Sequence, residues 1–183
     1  GKHFDQSFNA QAGVEVESML IVGAYVTDHP NDKNELIPAI EAMAVNTDGA
    51  TPKKISADNG YFSDAVLNDS RVAHLDLYIP PTGARRKTAG PGEAEGDGDH
   101  LPPDADLSPA EHMRRKLQTP EGRDVYKMRK AIAEAPFGII KSVMGFRAFS
   151  VRGRGKVDGE WDLVTACYNL RKLFGARMTA MTA

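Results

Sequence analysis

The residues best suited to chemistry in this chain of 183 residues lie on one stretch, where Tyr126, Lys130, Glu134 and Lys141 follow at spacings of four, four and seven. On a helix turning about 100° per residue, these four fall within about 80° of arc. They share one face. A face that mixes cations with a carboxylate is usually a solvated, salt-bridged surface. A second carboxylate, Asp58, follows the short apolar step Lys54-Ile55-Ser56-Ala57. It stands at the C-terminal end of the strand predicted there, where an Asp is often only a turn cap. Charge is unevenly shared: residues 1–110 hold 8 Lys/Arg against 18 Asp/Glu, and residues 111–183 hold 15 against 7. The formal net charge of −2 thus averages an acidic half of −10 and a basic half of +8. A nucleic-acid-binding surface beside an acidic, metal-holding region produces such asymmetry, and solvated helix faces produce it too. Arg147, Arg152, Arg154 and Lys156 lie in or near a Gly-rich connection. They suit phosphate contacts, with ordinary surface charge as the alternative.

Other chemistries fail on spacing. His3, His29, His74, His100 and His112 form no His-x-x-x-His pair, so a zinc site has little support. Lys87-Thr88 lacks the glycine frame of a phosphate loop. Arg85-Arg86-Lys87 reads most simply as a basic loop tip, and the acidic run from Glu93 to Asp106 as a solvated loop. Cys167 stands alone, which excludes an internal disulfide, and on an apolar helix face it is expected in the core. The longest strongly apolar run, Met19 to Val26, is far short of the roughly 20 residues that cross a bilayer. With no secretory signal in the first 18 residues, a reducing cytoplasm fits.

The elements that position these residues follow from periodicity. Alternating Ala10, Ala12, Val14 and Val16, then the run Met19 to Val26, predict a hairpin. Asn31 or Asp32 is expected to cap a helix reaching Val45, with Leu36, Ile37, Ile40 and Met43 on one face. The step before Asp58 predicts a buried strand, Ser63 caps a short helix, and Leu75 to Ile79 predicts a strand closed by Pro80-Pro81. Residues 82–106 turn Gly-, Pro- and acid-rich and read as a loop or disordered insertion. Ser108-Pro109-Ala110-Glu111 has the capping-box pattern, and Thr119-Pro120 starts a second helix running to about Val143. That helix is expected to bury Val125, Met128, Ile132, Ile139 and Val143 and to kink at Pro136. A last helix carries Trp161, Val164, Cys167, Tyr168, Leu170 and Leu173.

The string Tyr126-x-x-Arg129-Lys130-x-x-x-Glu134-x-x-Phe137-Gly138-x-x-Lys141 resembles the C-terminal motif of bacterial insertion-sequence transposases with a DDE catalytic domain. Ala57-Asp58-Asn59-Gly60-Tyr61-Phe62-Ser63 is similar to the stretch around that family's second acidic ligand. The likeness extends to Phe8 through Pro38, Gly145-Phe146-Arg147 and Gly159-Glu160-Trp161 through Leu170. It implies an α/β, ribonuclease-H-like mixed sheet with flanking helices. It also implies Asp58 and Glu134 as catalytic metal ligands, and Tyr126, Arg129, Lys130, Lys141 and Arg147 on DNA. Two divalent cations about 3.5 to 4 Å apart suit phosphodiester cleavage and strand transfer, and hard oxygen donors suit Mg²⁺ or Mn²⁺. The implied partners are transposon ends and target DNA, bound by a homo-oligomer with no membrane involved. In the resembled fold the first strand bears the first Asp, followed by a hairpin, a helix and a strand ending in the second. This sequence opens near the second strand, and Asp5 in Phe4-Asp5-Gln6 is unlike the first-ligand motif, so that ligand is expected to be missing. The organisation expected is residues 1–81 as the first part of the catalytic core, 82–119 as a partly disordered insertion, and 120–183 as C-terminal helices bearing Glu134. A truncated or repurposed remnant that binds DNA or protein without cutting is the rival reading.

Overall fold

The computed structural model describes residues 7–81 and 107–182. Asp5, Arg85-Arg86-Lys87 and the acidic run from Glu93 to Asp106 lie outside them.

Strands β1 (Asn9–Val14) and β2 (Ile21–Thr27) form the expected hairpin, antiparallel with Ala10 opposite Val26 and Ala12 opposite Ala24. Ala10, Ala12 and Val14 pack with Phe8 against Ile140, Val157 and Trp161. Helix α1 (Leu36–Asn46) also packs on this hairpin, and its closeness requires glycine. Gly13 and Gly23 pair across the strands. A Cβ on Gly23 would stand 2.6 Å from Met43 Cγ and 3.1 Å from the Met43 backbone nitrogen. The start of α1 departs from expectation: Glu35, not Asn31 or Asp32, is the N-cap residue, and its side chain caps nothing. The reason is a competing demand. The Glu35 carboxylate, 2% exposed, accepts from Tyr25 Oη at 2.9 Å and Thr27 Oγ1 at 3.1 Å and contacts His29 Nδ1 at 2.5 Å. Burial, and then the Glu35 carboxylate, push the Tyr25 hydroxyl far above its ordinary value.

Strands β3 (Lys54–Ser56) and β4 (Asp76–Tyr78) pair in parallel, with Ile55 opposite Leu77. A short 3-10 turn (Asn59–Tyr61) and helix α2 (Asp64–Leu67) lie between them in sequence. Ser63 caps α2 as expected, its Oγ accepting from the Val66 N–H at 3.2 Å. Helix α3 (Pro109–Gln118) opens with a complete capping box between Ser108 and Glu111. It sets Met113 into a core with Leu36, Ile40, Val72, Leu77 and Ile79.

Helix α4 (Pro120–Ser142) starts at Thr119, whose Oγ1 accepts from the Gly122 N–H at 3.0 Å, and stays helical through Pro136. Its buried stripe is Gly122, Pro136 and Ile140, with Val125, Arg129 and Ile132 half-buried between. Met128, 49% exposed, and Val143, 56% exposed, were expected inside and face solvent. Met128 sits roughly 80° from Pro136 around the helix, and Val143 lies beyond its last turn. The first turn of α4 is tied to β3 by the Lys54–Glu121 ion pair, while Phe137 and Ile140 near its end pack on the hairpin cluster.

Helix α5 (Arg154–Thr182) lies along β2 and satisfies backbone groups that a neighbouring strand would otherwise take. The Asn169 amide both donates to Ile21 O and accepts from Ile21 N, each at 2.8 Å. Asp158 accepts from Val26 N at 2.9 Å, and Tyr168 Oη donates to Met19 O at 2.9 Å. The inward stripe of α5 is Trp161, Thr165 and Tyr168. Cys167 is exposed rather than in the core, because it lies one residue off that stripe, about 100° around the helix.

Over the described residues the protein is thus mixed α/β with two cores, and the strands described do not join into the single mixed sheet expected. Among the described residues they form two separate two-stranded sheets, one antiparallel and one parallel, with no strand lying between β1 and β3. No described helix is long and apolar enough to cross a membrane.

Candidate active site

The parallel pairing of β3 and β4 continues to Ala57, whose N–H donates to Tyr78 O at 3.2 Å, and fixes the start of the next loop. Asp58 follows, half-buried, and turns the chain by accepting from the Gly60 N–H at 2.8 Å. A second carboxylate faces it. The position that a Cβ on Gly60 would occupy lies 2.9 Å from Asp58 Oδ1 and 3.3 Å from Asp32 Oδ2. Asp32 Oδ1 accepts from Asn9 Nδ2 and Gln11 Nε2, each at 2.7 Å, which fixes its orientation from β1. Tyr61 Oη donates to Gln11 Oε1 and closes the ring of polar groups. Burial first, then the Asp32 and Asp58 charges, push the Tyr61 hydroxyl well above its ordinary value. Asp32 has no motif to mark it: it reads as a helix cap, and only the tertiary fold brings it to Asp58.

The α4 residues divide into two pairs and an unpartnered stretch. Tyr126 and Arg129 meet, the guanidinium carbon 5.1 Å from the ring centroid, and Arg129 Nε is buried with no hydrogen-bond partner. Lys130 and Glu134 are exposed and, despite their i, i+4 spacing, form no ion pair. That differs from the salt-bridged surface such a pattern usually makes. Lys141 Nζ lies 6.0 Å from the Phe137 ring, and the Lys141 carbonyl accepts a long 3.5 Å bond from Arg147 Nε. Gly145, at φ +75°, sits where the chain reverses after α4, a left-handed position that favours glycine, and so brings Arg147 back toward Lys141. Arg154 pairs with Asp28 at 3.7 Å.

The structure therefore brings Tyr126 onto Arg129, ties Arg147 to the Lys141 carbonyl, and places Asp58 and Asp32 on either side of Gly60. No hydrogen bond or ion pair links Asp58 to Glu134. Among the described residues no three His, Cys, Asp or Glu side chains group as a metal-holding set. Among the described residues the carboxylates are right in kind for Mg²⁺ or Mn²⁺ but too few in one place for a two-cation centre.

Comparison with curated proteins and with solved structures found no match. The family described as Transposase DDE domain matches residues 1–170, which takes in both sheets, α4 with Glu134, and α5 as far as Leu170. The chain belongs to the transposase DDE domain family.

Proposed function

We propose that this chain is the larger, C-terminal part of the catalytic domain of a bacterial insertion-sequence transposase, a domain that cleaves DNA and transfers strands with Mg²⁺ or Mn²⁺. The family match over residues 1–170 carries the reading. Asp58 and Glu134 are the second and third acidic ligands, and Tyr126, Arg129, Lys130, Lys141 and Arg147 hold DNA. The sheets support this: a hairpin and a parallel pair, unjoined, are what a ribonuclease-H-like sheet becomes without the strand between them. That strand would bear the first Asp. With that Asp in place, the carboxylates would hold cations that activate the attacking oxygen and stabilise the leaving one. Buried Arg129 Nε supports phosphate binding, since a desolvated guanidinium N–H without an acceptor is costly unless a ligand supplies one. The working form is read as a cytoplasmic homo-oligomer on transposon ends and target DNA.

The ungrouped carboxylates favour one second reading, a remnant that binds DNA or protein without cutting. The test is Mn²⁺-dependent nicking of supercoiled DNA by this chain and by a form with an Asp-bearing strand joined at its N-terminus. The proposal expects the joined form to nick and this chain not to. Equal nicking by both would show that the third carboxylate is already present. Nicking by neither, with duplex binding retained, would favour the remnant.

A further inference from the structure

A cleft of about 890 Å³ opens between β1, the end of α4 and the 146–153 connection. It falls within the roughly 300–1,000 Å³ of small-molecule sites. Its apolar wall is aromatic: half-exposed Phe8, Phe137, Phe146 and Phe149. Three of these rings pack around buried Trp161, with Phe137 stacked at 5.9 Å and Phe146 and Phe149 at 6.3 and 6.4 Å. Among the described residues the charged lining is Lys141, Arg147 and Arg152, with no carboxylate. The connection is held in place from outside: Glu160 accepts from the Ser150 N–H at 2.9 Å, from Ser150 Oγ and from the Val151 N–H. The cleft is therefore preorganised and aromatic, and the charges that its described residues bring to it are cationic.

We propose that this cleft binds an unpaired nucleotide of a DNA strand, its base against the phenylalanine rings and its phosphates on Lys141, Arg147 and Arg152. The inference rests on the DNA-processing reading and goes beyond it by naming the form of DNA held here. Base faces inside a duplex are covered by their neighbours, so recessed rings can stack only on a base that has left the helix. Cations without competing carboxylates suit the phosphates on either side. Lys141 stands two helical turns beyond Glu134, about 10 Å along α4, so a strand held at the cleft passes near that carboxylate.

The test uses the chain with two DNAs, a blunt duplex and the same duplex with a 3′ overhang carrying 2-aminopurine, read by anisotropy and by aminopurine fluorescence. The overhang is expected to bind more tightly and its fluorescence to be quenched by stacking. Phe149→Leu is expected to abolish the quench and weaken overhang binding by roughly 5- to 150-fold, with blunt-duplex affinity unchanged. Should Phe149→Leu melt early, Arg152→Ala at an exposed position carries the test, weakening overhang binding more than duplex binding. Blunt duplex bound as well as the overhang, with no quench, overturns the cleft assignment and leaves the DNA reading intact. Binding of neither DNA, or a quench that an acidic peptide at equal concentration fully relieves, overturns both.

Discussion

Replacing Arg129 by Met separates a residue kept for function from one kept for folding. The side chain sits midway along α4, between the Glu121 anchor on β3 and Ile140 in the hairpin core. Its Nε–H is buried and unbonded, and leaving such a donor unsatisfied costs about 1–3 kcal/mol. Met keeps most of the apolar stem and removes that donor, but forfeits the cation–π contact with Tyr126, worth roughly 0.5–1 kcal/mol where solvent reaches it. The difference is a net stabilisation of about 0–2.5 kcal/mol. For a domain of this size that raises Tm by up to about 10 °C. The assay is a thermal melt of both proteins in one buffer, with duplex affinity measured alongside. The expected pair of results is a Tm equal or higher and a weaker affinity with a shallower salt dependence. A fall in Tm of more than about 4 °C would refute the reasoning, because it would mean that Arg129 is satisfied within the fold.

Gly23→Ala should destabilise by about 1–3 kcal/mol, since its Cβ meets Met43 Cγ and the α1 backbone; a denaturant melt checks it, and Met43→Ala should recover only part, because the Met43 nitrogen stays 3.1 Å away. Lys116 and Lys54 hold the Asp76 and Glu121 carboxyls below their usual range. Their folded values lie below the unfolded ones, so this stabilisation is present at neutral pH and is lost as pH falls below about 4. Lys116→Met should lower Tm at pH 7 and flatten its loss in acid, by at most about 1 kcal/mol since the pair is partly exposed. Lys141→Ala and Arg147→Ala should each weaken duplex binding and reduce the log–log salt slope by roughly one. Cys167, exposed on α5, should react with a thiol reagent in the folded protein at nearly its unfolded rate; protection until unfolding would contradict the packing of α5.

Local chemistry made much of the fold readable. Ser108 with Glu111, Ser63 with Val66 and Thr119 before Pro120 are caps written within four residues, and each forms as read. The hairpin follows because alternation suffices for two strands with one shared apolar face. What was not readable depends on distant partners. Met128 and Val143 are as apolar as Ile140, and periodicity alone does not say which of two apolar stripes meets the hairpin. Glu35, rather than Asn31 or Asp32, stands at the N-cap of α1, and its carboxylate is taken by Tyr25 and Thr27. Asp58 is visible from its strand and turn, whereas Asp32 reaches it only through Asn9 and Gln11 on β1. The aromatic wall had one local trace, Phe146 and Phe149 three residues apart around Arg147, but its depth comes from Trp161 on α5.

Whether Asp58 and Glu134 hold the same metals is decided by letting a metal mark its own ligands. The strand-completed form is loaded with Fe²⁺ in place of Mg²⁺ and treated with ascorbate and peroxide, and the sites of backbone scission are mapped by mass spectrometry. Cuts are expected next to both Asp58 and Glu134, suppressed by excess Mg²⁺ and lost at both places in Asp58→Asn. Cuts at only one of the two, or cuts that persist in Asp58→Asn, would mean that these carboxylates do not share a centre.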